Sequence, residues 1–138
     1  MTIDRGSAKP VRRGFWSTRL SLSLAVAWTL LIWLLLSIPG SSLPSSEIWN
    51  YDKVGHAGLF FVLSLLWLNA VRGKSTRIVT GIVIAGFLLG PFSEWYQSVL
   101  PIDRTADAYD AVANFVGFAV GTGLWLIVAG FKSPNKVD

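Results

Sequence analysis

Residues 20–38 read LSLSLAVAWTLLIWLLLSI, nineteen residues without a charge, ended by Pro39-Gly40. At 1.5 Å of rise per residue, a helix needs about 20 such residues to cross a hydrocarbon layer about 30 Å thick. The stretch has no polar face that could meet water, so it decides the class: this is a chain of membrane-spanning helices. Three further runs extend the reading. They are 54–71 (VGHAGLFFVLSLLWLNAV), 78–100 (IVTGIVIAGFLLGPFSEWYQSVL) and 111–131 (AVANFVGFAVGTGLWLIVAGF). Each is followed by a basic or turn-forming segment. The expected fold is an all-α integral membrane bundle of four transmembrane helices. A cytoplasmic basic tail over 1–19 precedes a membrane domain over 20–131, and a short cytoplasmic tail over 132–138 follows it.

Composition agrees. Of 138 residues, 52% are hydrophobic and only 14% charged, against about 25% charged in soluble domains, and mean hydropathy is +0.52. The length allows one domain. The net charge of +4 does not indicate nucleic acid, because the basic residues flank apolar runs instead of gathering on one surface. Ten of the twelve lie before the first run, between the second and third, or after the fourth: Arg5, Lys9, Arg12, Arg13, Arg19, Arg72, Lys74, Arg77, Lys132 and Lys136. Only Lys53 and Arg104 lie in the other two connections. Basic loops stay in the cytoplasm, so both termini are expected inside and segments 39–53 and 101–110 outside. Trp49, Tyr51, Trp95, Tyr96 and Tyr109 then fall near the outer interface, where such rings anchor. The first run exceeds the apolar core of a cleaved signal, about 7–15 residues, and SIPGSSLPSS offers no small-residue cleavage site. The Arg12-Arg13 pair is therefore not read as a twin-arginine signal, and the first span is expected to be retained.

The remaining polar residues are unevenly placed. On a helix of 100° per residue, Asp107, Asp110, Asn114, Gly117 and Gly121 fall within an arc of about 80°, and Gly86, Gly90, Ser93, Glu94 and Gln97 within about 100°. Each stripe is small at one end and polar at the other, and each carries a G-x-x-x-G pair that lets backbones approach in lipid. Gly86, Gly90, Gly117 and Gly121 are therefore expected to pack helices. Facing stripes would bring Glu94 and Gln97 to Asp110 and Asn114. In the second run Asp52 and His56 are i and i+4, on one helix face, and Gly55 and Gly58 leave room for a neighbour. Pro91 cannot bond the carbonyl of Phe87 and is expected to bend the third helix.

Ionisable groups inside a membrane usually face the bundle interior, and unpaired ones there are costly. His56, Glu94, Gln97, Arg104, Asp110 and Asn114 are accordingly expected to converge in one pocket near the outer surface. Bland and functional readings stand side by side for each group. Asp52 and Asp107 suit helix starts, where the dipole favours an anion, and Asp52 with His56 also suits a proton-transfer pair or a pair of metal ligands. His56, Glu94 and Asp110 are the candidates for acid–base chemistry, and Glu94 with Gln97 equally suits a buried clasp. Asp107 with Asp110 would ligate a divalent cation only if several carboxylates converged. Arg104 would pair with an acid or hold an anionic head group. There are no cysteines and one histidine, which removes thiolate chemistry and any multi-histidine metal centre within one chain. No P-loop, G-x-S-x-G or H-E-x-x-H motif is present. Nothing in the sequence calls for a metal or a cofactor.

The ordered set Asp52, Lys53 and His56, then Glu94 and Gln97, then Arg104, Asp107, Asp110, Asn114 and Gly117 resembles the VanZ-like family over the second to fourth spans. The segment PIDRTAD departs from the family pattern in having no glycine before the arginine. The resemblance implies a small multi-pass protein of the bacterial inner membrane, in a family linked to tolerance of the glycopeptide teicoplanin. With it, the expected function is a cell-envelope protein whose outward polar pocket binds a wall or lipid-linked ligand through Asp52, Lys53, His56, Glu94, Gln97, Arg104, Asp107, Asp110 and Asn114. Membrane lipids and a lipid-linked cell-wall precursor are the expected partners, and nucleic acid is not. Two alternatives stay open. One is a membrane hydrolase or transferase using Glu94, Asp110 and His56. The other is a small transporter or partner subunit.

Overall fold

A computed structural model describes residues 17–39, 42, 49–101 and 106–130. Four helices make up nearly all of it: α1 (Thr18–Leu36), α2 (Trp49–Ala70), α3 (Thr76–Val99) and α4 (Ala108–Gly130). Each is long and apolar enough to cross a membrane. The distribution of side chains is that of a bundle in lipid. Leu30, Leu34, Leu88 and Ile127 lie on the outside, while His56, Ser93, Glu94, Gln97, Asp110 and Asn114 are buried. Arg104, both expected tails beyond residue 17 and residue 130, and most of the 39–48 connection lie outside the described residues.

The helices begin earlier than hydropathy alone suggests. Ser17 caps α1, its hydroxyl accepting from the Leu20 N–H at 3.3 Å. α2 starts five residues before the apolar run, so Asp52 and Lys53 stand on a helix and not in a loop. α4 starts three residues early, bringing Asp110 into its first turn. Hydropathy sees where lipid begins; a helix continues beyond it while its first N–H groups have partners. Between α2 and α3 the chain turns through Gly73, whose φ of +78° lies in the left-handed region that a side chain disfavours. α3 runs through Pro91 as one helix.

Successive helices alternate in direction, and they are arranged around the bundle as α1, α2, α4, α3. The most extensive contact is between α2 and α4; α1 lies against α2, and α3 against α4. At the centre are Ile32, Leu36, Phe60, Leu63 and Phe118. The indole N–H of Trp28 donates to the Leu59 carbonyl at 3.0 Å, and that of Trp67 to the Thr29 hydroxyl at 3.1 Å, tying α1 to α2. α1 meets α3 near their C-terminal ends. There Trp33 sits edge-on to Tyr96, with ring centroids 4.8 Å apart, and the Ser37 and Tyr96 hydroxyls are 3.1 Å apart.

Two expectations about packing need correction. The glycine stripes of α3 and α4 do not face each other. Gly86 and Gly90 do face α4, against Phe118 and Asn114, but Gly117 and Gly121 face α2, against the carbonyls of Ala57 and Phe61 and the Ser64 hydroxyl. α4 is flanked on two sides, and its small face goes to the helix that presents a correspondingly small one. On α2 that surface is Ala57 and Ser64. Gly55 and Gly58 have nothing within 4 Å of where a side chain would begin, so they are not the approach surface.

Candidate functional site

The ends of α1 and α3 and the starts of α2 and α4 form one end of the bundle, and the ionisable groups collect there. Lys53 on α2 reaches across to α4, where its ammonium lies 3.0 Å from Asp107 Oδ2 and 3.0 Å from Asp110 Oδ1. It also stands over the Tyr109 ring, 5.6 Å from the centroid. Asp107 caps α4. Its backbone carbonyl accepts from the N–H groups of Asp110 and Ala111, and its Oδ1 accepts from the Tyr109 N–H at 2.8 Å. That hydrogen bond, followed by the bond from Lys53, holds its carboxyl below the ordinary aspartate range. Both stabilise the ionised form.

One turn deeper lies a buried polar chain that crosses three helices. Nδ1 of His56 (α2) is 3.1 Å from Oδ1 of Asn114 (α4). The Asn114 amide donates to Ser93 Oγ (α3) at 3.2 Å, and the Ser93 hydroxyl donates to the Gly90 carbonyl at 2.6 Å. Asn114 and Ser93 have no exposed surface, so among the described residues they depend on one another, on His56 and on the Gly90 carbonyl. Nε2 of His56 faces two carboxylates, 3.9 Å from Asp52 Oδ1 and 4.0 Å from Asp110 Oδ2. Asp52, His56 and Asp110 thus bring three potential metal-ligand atoms within 4.8 Å of one another.

Glu94 and Gln97 take other partners than expected. Glu94 Oε2 accepts the backbone N–H of Asp107 at 3.2 Å, which clasps the last turns of α3 to the start of α4. Its Oε1 is buried and has no hydrogen-bond partner among the described residues. Gln97 does not turn toward Asp110 or Asn114; its amide donates to the Leu36 carbonyl of α1 at 3.3 Å. The two residues are a turn apart on α3, yet neighbouring helices lie on different sides of that face. Arg104, expected over the acids, lies outside the described residues, and Lys53 is the cation found on Asp107 and Asp110. Ser93 was visible only as a member of a small-residue stripe. Its part as the α3 terminus of the chain needs the relative rotation of three helices, and local sequence carries no such signal.

Chemically, this end offers a cation on two acids, an oriented imidazole and a carboxylate oxygen without a partner among the described residues. At the far end lies a cleft of about 380 Å³, mainly apolar, lined by Ser21, Leu24, Leu65, Leu66, Asn69 and Trp125. It contains none of these groups. A model of the VanZ/LLP1 family matches residues 17–129. No curated protein and no solved structure matches the chain.

Proposed function

The chain belongs to the VanZ/LLP1 family, and on that premise we propose that it is an envelope protein of the bacterial inner membrane that binds a lipid-linked cell-wall precursor at its polar end. The observation that carries the reading is the Lys53–Asp107–Asp110 bridge set above the buried His56–Asn114–Ser93 chain. Charges inside a bundle are expensive to keep and are usually retained for a ligand or a pathway. The groups lie in two successive layers at one end of the bundle and come from three helices, which converge as the walls of a ligand site do. In this reading both termini are cytoplasmic and the polar end faces outward, where wall precursors and glycopeptides meet. The family's link to teicoplanin tolerance then follows from competition or shielding at the precursor.

The test is to purify the full chain from a wall-forming bacterium into lipid nanodiscs and identify retained lipids by mass spectrometry. Wild-type protein should retain a precursor that Lys53→Ala and Asp110→Asn lose. Equal lipid profiles in all three would overturn the reading. In parallel, production of wild-type protein should raise teicoplanin tolerance, and Asp110→Asn should not.

A further inference from the structure

We propose that Asp52, His56 and Asp110 bind a divalent cation of the Mn²⁺ or Zn²⁺ class. The argument begins with the proton on His56. A serine hydroxyl has one proton, and that of Ser93 is given to the Gly90 carbonyl at 2.6 Å. Ser93 Oγ must then accept at its other contact, so it is the Asn114 NH₂ that points to it. This orients the Asn114 carbonyl oxygen toward His56 Nδ1. An amide oxygen only accepts, so Nδ1 carries a proton. The other ring nitrogen, Nε2, belongs to a side chain only 10% exposed and faces two carboxylates. A ring held by a hydrogen bond on one nitrogen, with the other facing oxygen ligands, is how metal-binding histidines are oriented.

Charge and geometry agree with this. Asp52, Asp107, Asp110 and Glu94 lie at this end among the described residues, and Lys53 is the cation found on two of them. Lys53 engages Oδ1 of Asp110 and leaves Oδ2 toward the imidazole. Metal–ligand bonds of about 2.0–2.2 Å place neighbouring ligand atoms roughly 3–3.6 Å apart. The two imidazole edges, 3.9 and 4.0 Å, and the 4.8 Å within which all three ligand atoms lie, contract to that range with side-chain motion of about an ångström, for which the exposed Asp52 has room. One imidazole and two carboxylates suit a borderline ion. Asp52 is 58% exposed, so the cation has a way in, and three protein ligands leave coordination positions open. Resting on the reading above, those positions would take phosphate oxygens of the lipid-linked ligand, which an excess of carboxylates would otherwise repel.

The experiment uses full-length protein in phosphatidylcholine nanodiscs, stripped with chelator and titrated with MnCl₂ and ZnCl₂. Bound metal is counted by mass spectrometry and free Mn²⁺ by electron paramagnetic resonance. About one ion per chain is expected. Asp52→Asn, a surface change that leaves the fold intact, should weaken binding at least tenfold, as should His56→Gln. Because the chain has one histidine, its ¹⁵N resonances are unambiguous, and Zn²⁺ should shift Nε2 while Nδ1 stays protonated. Substoichiometric binding, binding unchanged in both variants, or an imidazole protonated on both nitrogens and indifferent to Zn²⁺ would overturn the proposal. No wall precursor is present, so failure of the lipid-binding reading leaves this result standing.

Discussion

Asn114 is a neutral amide with no exposed surface, and it serves two neighbours at once. It accepts from the His56 ring and donates to the Ser93 hydroxyl. Removing it leaves His56 Nδ1 without its buried acceptor and takes one of the two bonds from the Ser93 hydroxyl. Asn114→Ala should therefore cost about 1–2 kcal/mol, with Ser93→Ala costing less, because losing the serine takes one acceptor from the Asn114 amide and leaves its bond with His56 in place. Thermal unfolding in nanodiscs measures both. At the surface above, Asp107 makes a separate prediction. Its carboxyl is held low by the Tyr109 N–H and by Lys53, so it stabilises the folded chain while ionised. That contribution is complete above the ordinary aspartate value, about pH 4, and fades as pH falls through the lower folded value. Asp107→Asn keeps a capping side chain and removes the charge. The melting-temperature gap between wild type and Asp107→Asn should be full at neutral pH and shrink in acid; a gap independent of pH would contradict the assignment.

At the scale of the helix, α2 and α4 are held at backbone distance. A methyl at Gly117 would overlap the Ala57 carbonyl, and one at Gly121 would meet the Ser64 hydroxyl and the Phe61 carbonyl. Backbone cannot swing aside, so Gly117→Ala should destabilise by about 1–3 kcal/mol, the range for an overpacked site. At Gly90 the nearest atom to an added methyl is Asn114 Cβ at 3.3 Å, a tight but adjustable contact, and Gly90→Ala should cost less than Gly117→Ala. Equal melting temperatures for the two would refute the α2–α4 backbone contact. These pairings show what a sequence can and cannot reveal about a bundle. The existence of four helices was legible because hydropathy acts on each segment alone. So was the value of small residues on α4. Which neighbour receives the small face depends on the other helices' surfaces, and Gly55 and Gly58 misled because they lie on the same helix as Ala57 and Ser64 but point elsewhere. The helix starts were legible in part: the i, i+4 spacing put Asp52 on the helix of His56, but hydropathy alone reads the charges of Asp52, Lys53 and Asp110 as the end of a span.

For the molecule as a whole, the polar end is the joint product of α2, α3 and α4. The residue set for it was legible almost entire, since polar groups in apolar runs are conspicuous. The wiring was not, because Gln97 serves α1 through the Leu36 carbonyl and Lys53 bridges two acids from another helix. With ten of twelve basic residues in the segments before α1, between α2 and α3 and after α4, reporter fusions after residues 45, 75, 105 and 138 should read outside, inside, outside and inside. An external reading after 138 would invert the membrane orientation of the proposed site.

The central place of α4 also has a consequence for biogenesis. The chain leaves the ribosome at about 5–20 residues per second, so α2 and α3 reach the bilayer before α4 exists. His56 and Glu94 must wait there without Asn114 and without the Asp107 backbone N–H. The early insert is thus a recognisably unfinished object, with exposed polar groups for chaperones and membrane proteases to detect. Stopping synthesis before α4 should yield a product that inserts yet turns over fast, and supplying α4 as a separate peptide should extend its lifetime.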